Sequence, residues 1–108
     1  MSRHLVRLAA AAGLALAAPA AVSQQAVPAA LHAADLGAWA EAPYAARLAV
    51  SGDIVSTAIG ERLRGPSDAR VKAEALERCI SELSRAPDMR GQKVSDIAEA
   101  CLIYMGWS

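Results

Sequence analysis

Apolar positions in the second half of the chain recur at helical spacing. Between Ser67 and Ala86, Val71, Leu76, Cys79, Ile80 and Leu83 trace one face, while Arg70, Glu74, Arg78 and Glu82, each four residues apart, set alternating charge on the other. Ser67 is a ready N-cap, and Asp68 places an acid in the first turn. Pro87, Asp88 and Gly91 then mark a turn, after which Val94, Ile97, Ala98, Cys101, Leu102 and Met105 resume the helical period. Ser95 or Asp96 can cap this last helix, and Gly106 can end it in a left-handed conformation that leaves Trp107 able to fold back. The two segments predict a helical hairpin over residues 67–106.

Upstream, Tyr44, Leu48, Val55, Ile59 and Leu63 are spaced by four and seven, which keeps them on one helical face. Ser51, Gly52 and Asp53 interrupt that stripe, so a kink or restart is expected there, with Asp53 capping the second half; Gly65 and Pro66 stop the helix. Residues 24–43 are Ala-rich, bounded by Pro28 and Pro43, with only Leu31, Leu36 and Trp39 as sizeable apolar groups. A helix from Ala29 to Glu41 would either dock through Trp39 or fray as a leader. No segment alternates as a strand would. The expected fold class is all-α: a small helical domain at 44–108, its hairpin closed by one disulfide, with one or two further helices packed on it.

The N-terminus has a different pattern. Arg3, His4 and Arg7 precede an uncharged Ala- and Leu-rich run from Leu8 to Val22, followed by small residues at Ala21 and Ser23. This is the layout of a Sec signal peptide over residues 1–23, with cleavage expected after Ser23 and, second, after Ala20. The run is shorter than the ~20 residues needed to span a bilayer, and Pro19 interrupts its end. No later segment is long and apolar enough to cross, so no transmembrane span is expected after cleavage. The resulting expectation is a periplasmic or secreted bacterial protein, Arg-rich and Ala-rich in the manner of a high-GC genome.

Composition narrows the function. The chain has 108 residues, 11 basic and 11 acidic side chains, and 55% hydrophobic residues, yet only 4% are aromatic and none is Phe. Ala fills a quarter of it, so the core that can be built is modest and one small domain is the limit. Removing Arg3 and Arg7 with the signal leaves nine basic against eleven acidic residues, which gives no electrostatic case for nucleic acid.

Cys79 and Cys101 lie at similar distances, ~10 Å, on either side of the hairpin's bend and on the apolar face of each helix. In an exported chain this placement predicts a disulfide, which in the chain-entropy model stabilises by ~3.4 kcal/mol. A redox pair would usually show Cys-x-x-Cys spacing, a metal site lacks ligands because His32 is the one mature histidine, and export argues against two buried thiols.

No catalytic, metal or cofactor set is expected: His32 has no evident base-orienting partner, and neither a haem-attachment motif, a phosphate-binding glycine loop nor a calcium loop is present. Trp39 with Tyr44, and Tyr104 with Trp107, are the aromatic residues, and they read first as a satellite core. The C-terminal pair with Ile103 is the candidate partner contact. The expected function is a non-enzymatic binding or accessory protein of the cell envelope with a protein partner. In size and helix content alone the chain resembles periplasmic acid-stress chaperones, which makes a stress holdase the alternative; a thiol redox protein ranks last.

Overall fold

Helices account for all the regular structure among the described residues, joined by short turns. The computed structural model describes residues 29–108; the expected signal at 1–23, its cleavage site and residues 24–28 lie outside them. A helical turn at 29–32 leads to α1 (Leu36–Glu41), and α2 (Tyr44–Ile59) runs on into a 3-10 turn at Gly60–Arg62. α3 (Pro66–Ser84) follows, then a 3-10 turn at Pro87–Met89 and α4 (Val94–Met105). α3 is the common partner, packing against α1, α2 and α4.

The predicted all-α fold and hairpin are present, and Cys79 is bonded to Cys101 with the two Cα atoms 6.2 Å apart. One core joins the elements. α1 gives it Leu36 and Trp39, α2 Val50, Val55 and Ile59, α3 Leu76 and Ile80, and α4 Val94, Ile97, Ala98, Cys101 and Leu102, all buried. Leu31 is buried in the same cluster, so the Ala-rich segment docks rather than frays over its described part.

Docking requires a break that the Ala29–Glu41 helix did not anticipate. The chain turns at 33–35, and Asp35 caps α1 by accepting the Ala38 N–H at 3.0 Å. The Leu36 and Gly37 N–H groups donate to the Gln92 and Arg90 carbonyls at 2.9 and 3.0 Å, and the Val94 N–H donates to the Ala34 carbonyl at 2.9 Å. Two helix N-termini thus satisfy their first amides on each other's approach strands, pairing Asp35 with Lys93 as an isolated antiparallel bridge. This is why α4 needs no side-chain cap from Ser95 or Asp96: Lys93 occupies the cap position and makes no side-chain cap bond. A Cβ at Gly37 would lie 3.2 Å from the capping Asp35 carboxylate, so glycine keeps that approach open.

α2 differs from expectation in the same instructive way. It does not kink at Ser51-Gly52-Asp53; Ser51 is fully buried, and a Cβ on Gly52 would lie 3.9 Å from that of Ala73. The small residues are where α2 comes close to α3. The buried face accordingly turns to Val50, Ser51, Val55 and Ile59, leaving Tyr44 47% exposed.

On α3, Gly65 rather than Ser67 is the cap, with Pro66 in the first turn; Gly65 adopts φ 127°, a conformation open to glycine. The core side of α3 is Ala73, Leu76, Glu77, Ile80 and Ser84, while Val71 and Leu83, expected inside, are exposed.

Two polar residues therefore occupy core positions on α3, and they are connected. The Trp39 indole N–H donates to Ser81 Oγ at 2.9 Å, the Ser81 hydroxyl donates to Glu77 Oε2 at 2.6 Å, and Arg47 Nε donates to the same oxygen at 2.9 Å. Arg47 also donates through Nη1 to the Ala42 carbonyl, and Ser84 Oγ donates to the Ser81 carbonyl at 2.7 Å. This chain ties α1, α2 and α3 together and satisfies a buried carboxylate.

Candidate functional site

The sequence directs attention to the C-terminal half of α4. Its core side is filled by Val94, Ile97, Ala98, Cys101 and Leu102, so helical geometry puts Ile103 at the opposite, solvent pole, with Tyr104 one step round toward α3. Ile103 is 61% and Tyr104 86% exposed. A shallow groove between α3 and α4 runs beside the disulfide and is lined by Cys79, Glu82, Leu83, Ala100, Cys101 and Tyr104. Leu83, at 36% exposure, closes its far side.

The groove is largely apolar, with Glu82 as its charged member, and the covalent link behind it holds the two helices in register. Cys79 is half-buried and Cys101 buried. Such a surface can receive an apolar side chain of another molecule. Burying Leu83, Ile103 and Tyr104 would contribute about 1.5 to 3 kcal/mol for each side chain fully removed from water.

Trp107 is placed differently from the other two expected contacts. The Gly106 cap forms with φ 75°, the Trp107 N–H donates to the Leu102 carbonyl at 2.8 Å, and the ring packs against the core, half-buried. Lys72 Nζ stands 5.7 Å from its centroid. Tyr104 thus shares the groove with Leu83, Ile103 stands exposed on the outer side of α4, and Trp107 belongs with Lys72. Leu83 was missed as a surface residue because its spacing from Leu76, Cys79 and Ile80 suits a core face; the buried Glu77 and Ser84 show that the core stripe turns away from it.

Trp39 and Tyr44 do not form the expected satellite core with the C-terminal aromatics. Trp39 is fully buried and bonded to Ser81, nine residues along α3 from the Lys72 that faces Trp107, and Tyr44 is exposed with Arg47 5.7 Å from its ring.

His32 acquires a neighbour the sequence did not indicate: its Nε2 is 3.8 Å from Asp53 Oδ2, both side chains being well exposed. His32 borders a second cleft, of about 390 Å³, whose floor includes Ile54, Ala98 and Leu102 and whose rim carries Thr57, Ser95 and Glu99. At that distance the carboxylate does not hold the imidazole as a general base would need, at about 2.6 to 3.2 Å. Among the described residues no three His, Cys, Asp or Glu side chains gather as a metal-binding group.

The Asp68 carboxyl is held below its ordinary pKa. The Lys72 ammonium hydrogen-bonded to it at 2.6 Å is the main cause, followed by the Arg64 backbone N–H at 3.0 Å. Its role lies in tying the Gly65 turn to α3, away from the groove.

Comparison with family models, curated proteins and solved structures finds no match for this chain. The disulfide fits an oxidising compartment, and no helix among the described residues is long and apolar enough to cross a membrane.

Proposed function

We propose that this is an exported, non-enzymatic binding protein of the bacterial cell envelope that holds a protein partner against the outer face of its disulfide-closed hairpin. One observation carries the reading: Leu83 and Tyr104 line the exposed groove beside the disulfide, Tyr104 at 86% exposure with the exposed Ile103 next to it in α4, in a chain with four aromatic residues and little large apolar surface to spare. Exposed large apolar groups clustered on a rigid support are the usual makings of a contact surface, with Tyr at its centre. The charged N-terminal flank, the apolar run to Val22 and the disulfide support export, with cleavage after Ser23.

The test is a photo-crosslinking residue placed at position 104 and, as a control, at Arg70 on the solvent side of α3, followed by recovery from the native envelope. A discrete adduct at position 104 that disappears with Ile103→Glu, while Arg70 gives none, is the expected result. Equal labelling at both positions, or none at 104, removes this surface from consideration. Labelling of many unrelated chains that grows with acid or heat would replace the reading with a holdase.

A further inference from the structure

On the side of α3 turned away from Leu83 and the disulfide, a separate cleft of about 330 Å³ is lined by Ala40, Arg47, Ser81, Ser84, Arg85 and Arg90. Three of these six are arginines, and they come from three places: the first half of α2, the C-terminal cap of α3 and the turn after Pro87–Met89. Nothing in the proposed partner contact uses them.

Three carboxylates, Glu77, Glu41 and Asp88, stand near these arginines, and they engage them unequally. Glu77, buried behind Arg47 and Ser81, already accepts from both through one oxygen. Glu41 approaches Arg90 at 3.8 Å, but its side chain is 82% exposed, so water screens that pair strongly. Arg85 makes no ion pair among the described residues, nor does Asp88 in the intervening turn. A helix C-terminus welcomes a cation, which accounts for one of the three guanidinium groups near the end of α3. It does not account for three.

The inner wall is also fixed in advance. Arg47 is held by Glu77 through Nε and by the Ala42 carbonyl through Nη1, leaving Nη2 without a hydrogen-bond partner among the described residues. Ser81 is fixed between Trp39 and Glu77, and Ser84 by the Ser81 carbonyl. Holding an arginine rigidly removes the rotamer cost it would otherwise meet on gripping an anion, and its planar fork matches paired oxygens.

We propose that the Arg47–Arg85–Arg90 cleft is a binding site for a phosphate group. Three guanidinium groups approaching from different elements offer more N–H donors than a single carboxylate can use, and they suit the several oxygens of a tetrahedral phosphate. Arg47 is the preset contact, and Arg85 and Arg90, on the rim, close on the ligand. The inference is independent of the partner surface, which lies on the other side of α3.

The test is a titration of the protein with inorganic phosphate, read from the arginine Nε–H resonances by NMR, with chloride at matched ionic strength as the control. The expected result is a saturable shift at Arg47, Arg85 and Arg90 with none at Arg70, which pairs with Glu74 outside the cleft. The double substitution Arg85→Gln with Arg90→Gln, on two exposed side chains, should weaken the midpoint about tenfold or more, the loss of roughly one charge-assisted hydrogen bond, with the spectrum otherwise unchanged. Linear shifts reproduced by chloride, or equal shifts at Arg70, would overturn the site. A free ion and a lipid headgroup present the same phosphate oxygens, so flotation with phosphatidylglycerol vesicles forms the second arm. Saturation together with flotation lost in the double variant assigns a headgroup, and saturation without flotation assigns a free phosphate.

Discussion

Glu77 is a carboxylate on the core side of α3, with a side chain 5% exposed, and it is tolerated there because Arg47 and Ser81 both donate to it. Glu77→Gln keeps the shape but leaves the half-buried Arg47 guanidinium without its counter-charge and offers a weaker acceptor. Breaking one partner of a buried pair costs about 3 kcal/mol or more. Urea denaturation should show a loss of that order, and a variant as stable as the wild type would mean that Arg47 reaches water on losing its partner. Ser51 is the opposite case: its hydroxyl is fully buried and has no hydrogen-bond partner among the described residues. Ser51→Ala removes a desolvated group while leaving its methylene in place, so the same assay should register a gain of up to about 1 kcal/mol. A clear loss would reveal a hydrogen bond to the hydroxyl.

Asp68 organises the start of α3: its carboxylate accepts the Arg64 N–H and the Lys72 ammonium, and Lys72 lies in turn over Trp107. Because these partners hold its pKa down, the folded state favours the ionised form. The stabilisation is complete above the unfolded carboxylate value, about 3.9, and is lost as pH falls through the lower folded value. Asp68→Asn should therefore be less stable than the wild type at neutral pH and converge with it in acid, and parallel stability curves down the acid limb would refute that role. α3 and α4 were legible in the sequence because their apolar residues keep the 3.6 period and the Gly65–Pro66 and Gly106 stops are local. Three features were not. The Asp35 break, the uncapped start of α4 and the unkinked α2 depend on hydrogen bonds and a close helix approach to segments remote in sequence. Ser51-Gly52-Asp53 reads as a weak point only until Ala73 is seen beside it.

At the scale of the molecule, the sites divide in the same way. Ile103 and Tyr104 could be found from one helix's own period, whereas the phosphate cleft joins Arg47 to Arg85 and Arg90 across about 40 residues and no local pattern brings them together. The disulfide sits between these cases, since two cysteines level across a turn announce it. Its contribution is global, because the link closes a loop in the unfolded chain while the folded hairpin is already packed through Ile80, Ala98 and Leu102. In the chain-entropy account its removal costs ~3.4 kcal/mol, a large share of what a domain this small can accumulate. Replacing both cysteines by alanine should therefore lower the urea midpoint and also steepen the transition, since the released unfolded chain exposes more surface and raises the m-value. If the midpoint falls while the slope stays fixed, the bond acts through packing at Cys101 in the folded state. If neither changes, the helix core alone holds the hairpin, and the rigidity of the Leu83, Ile103 and Tyr104 face must come from the core.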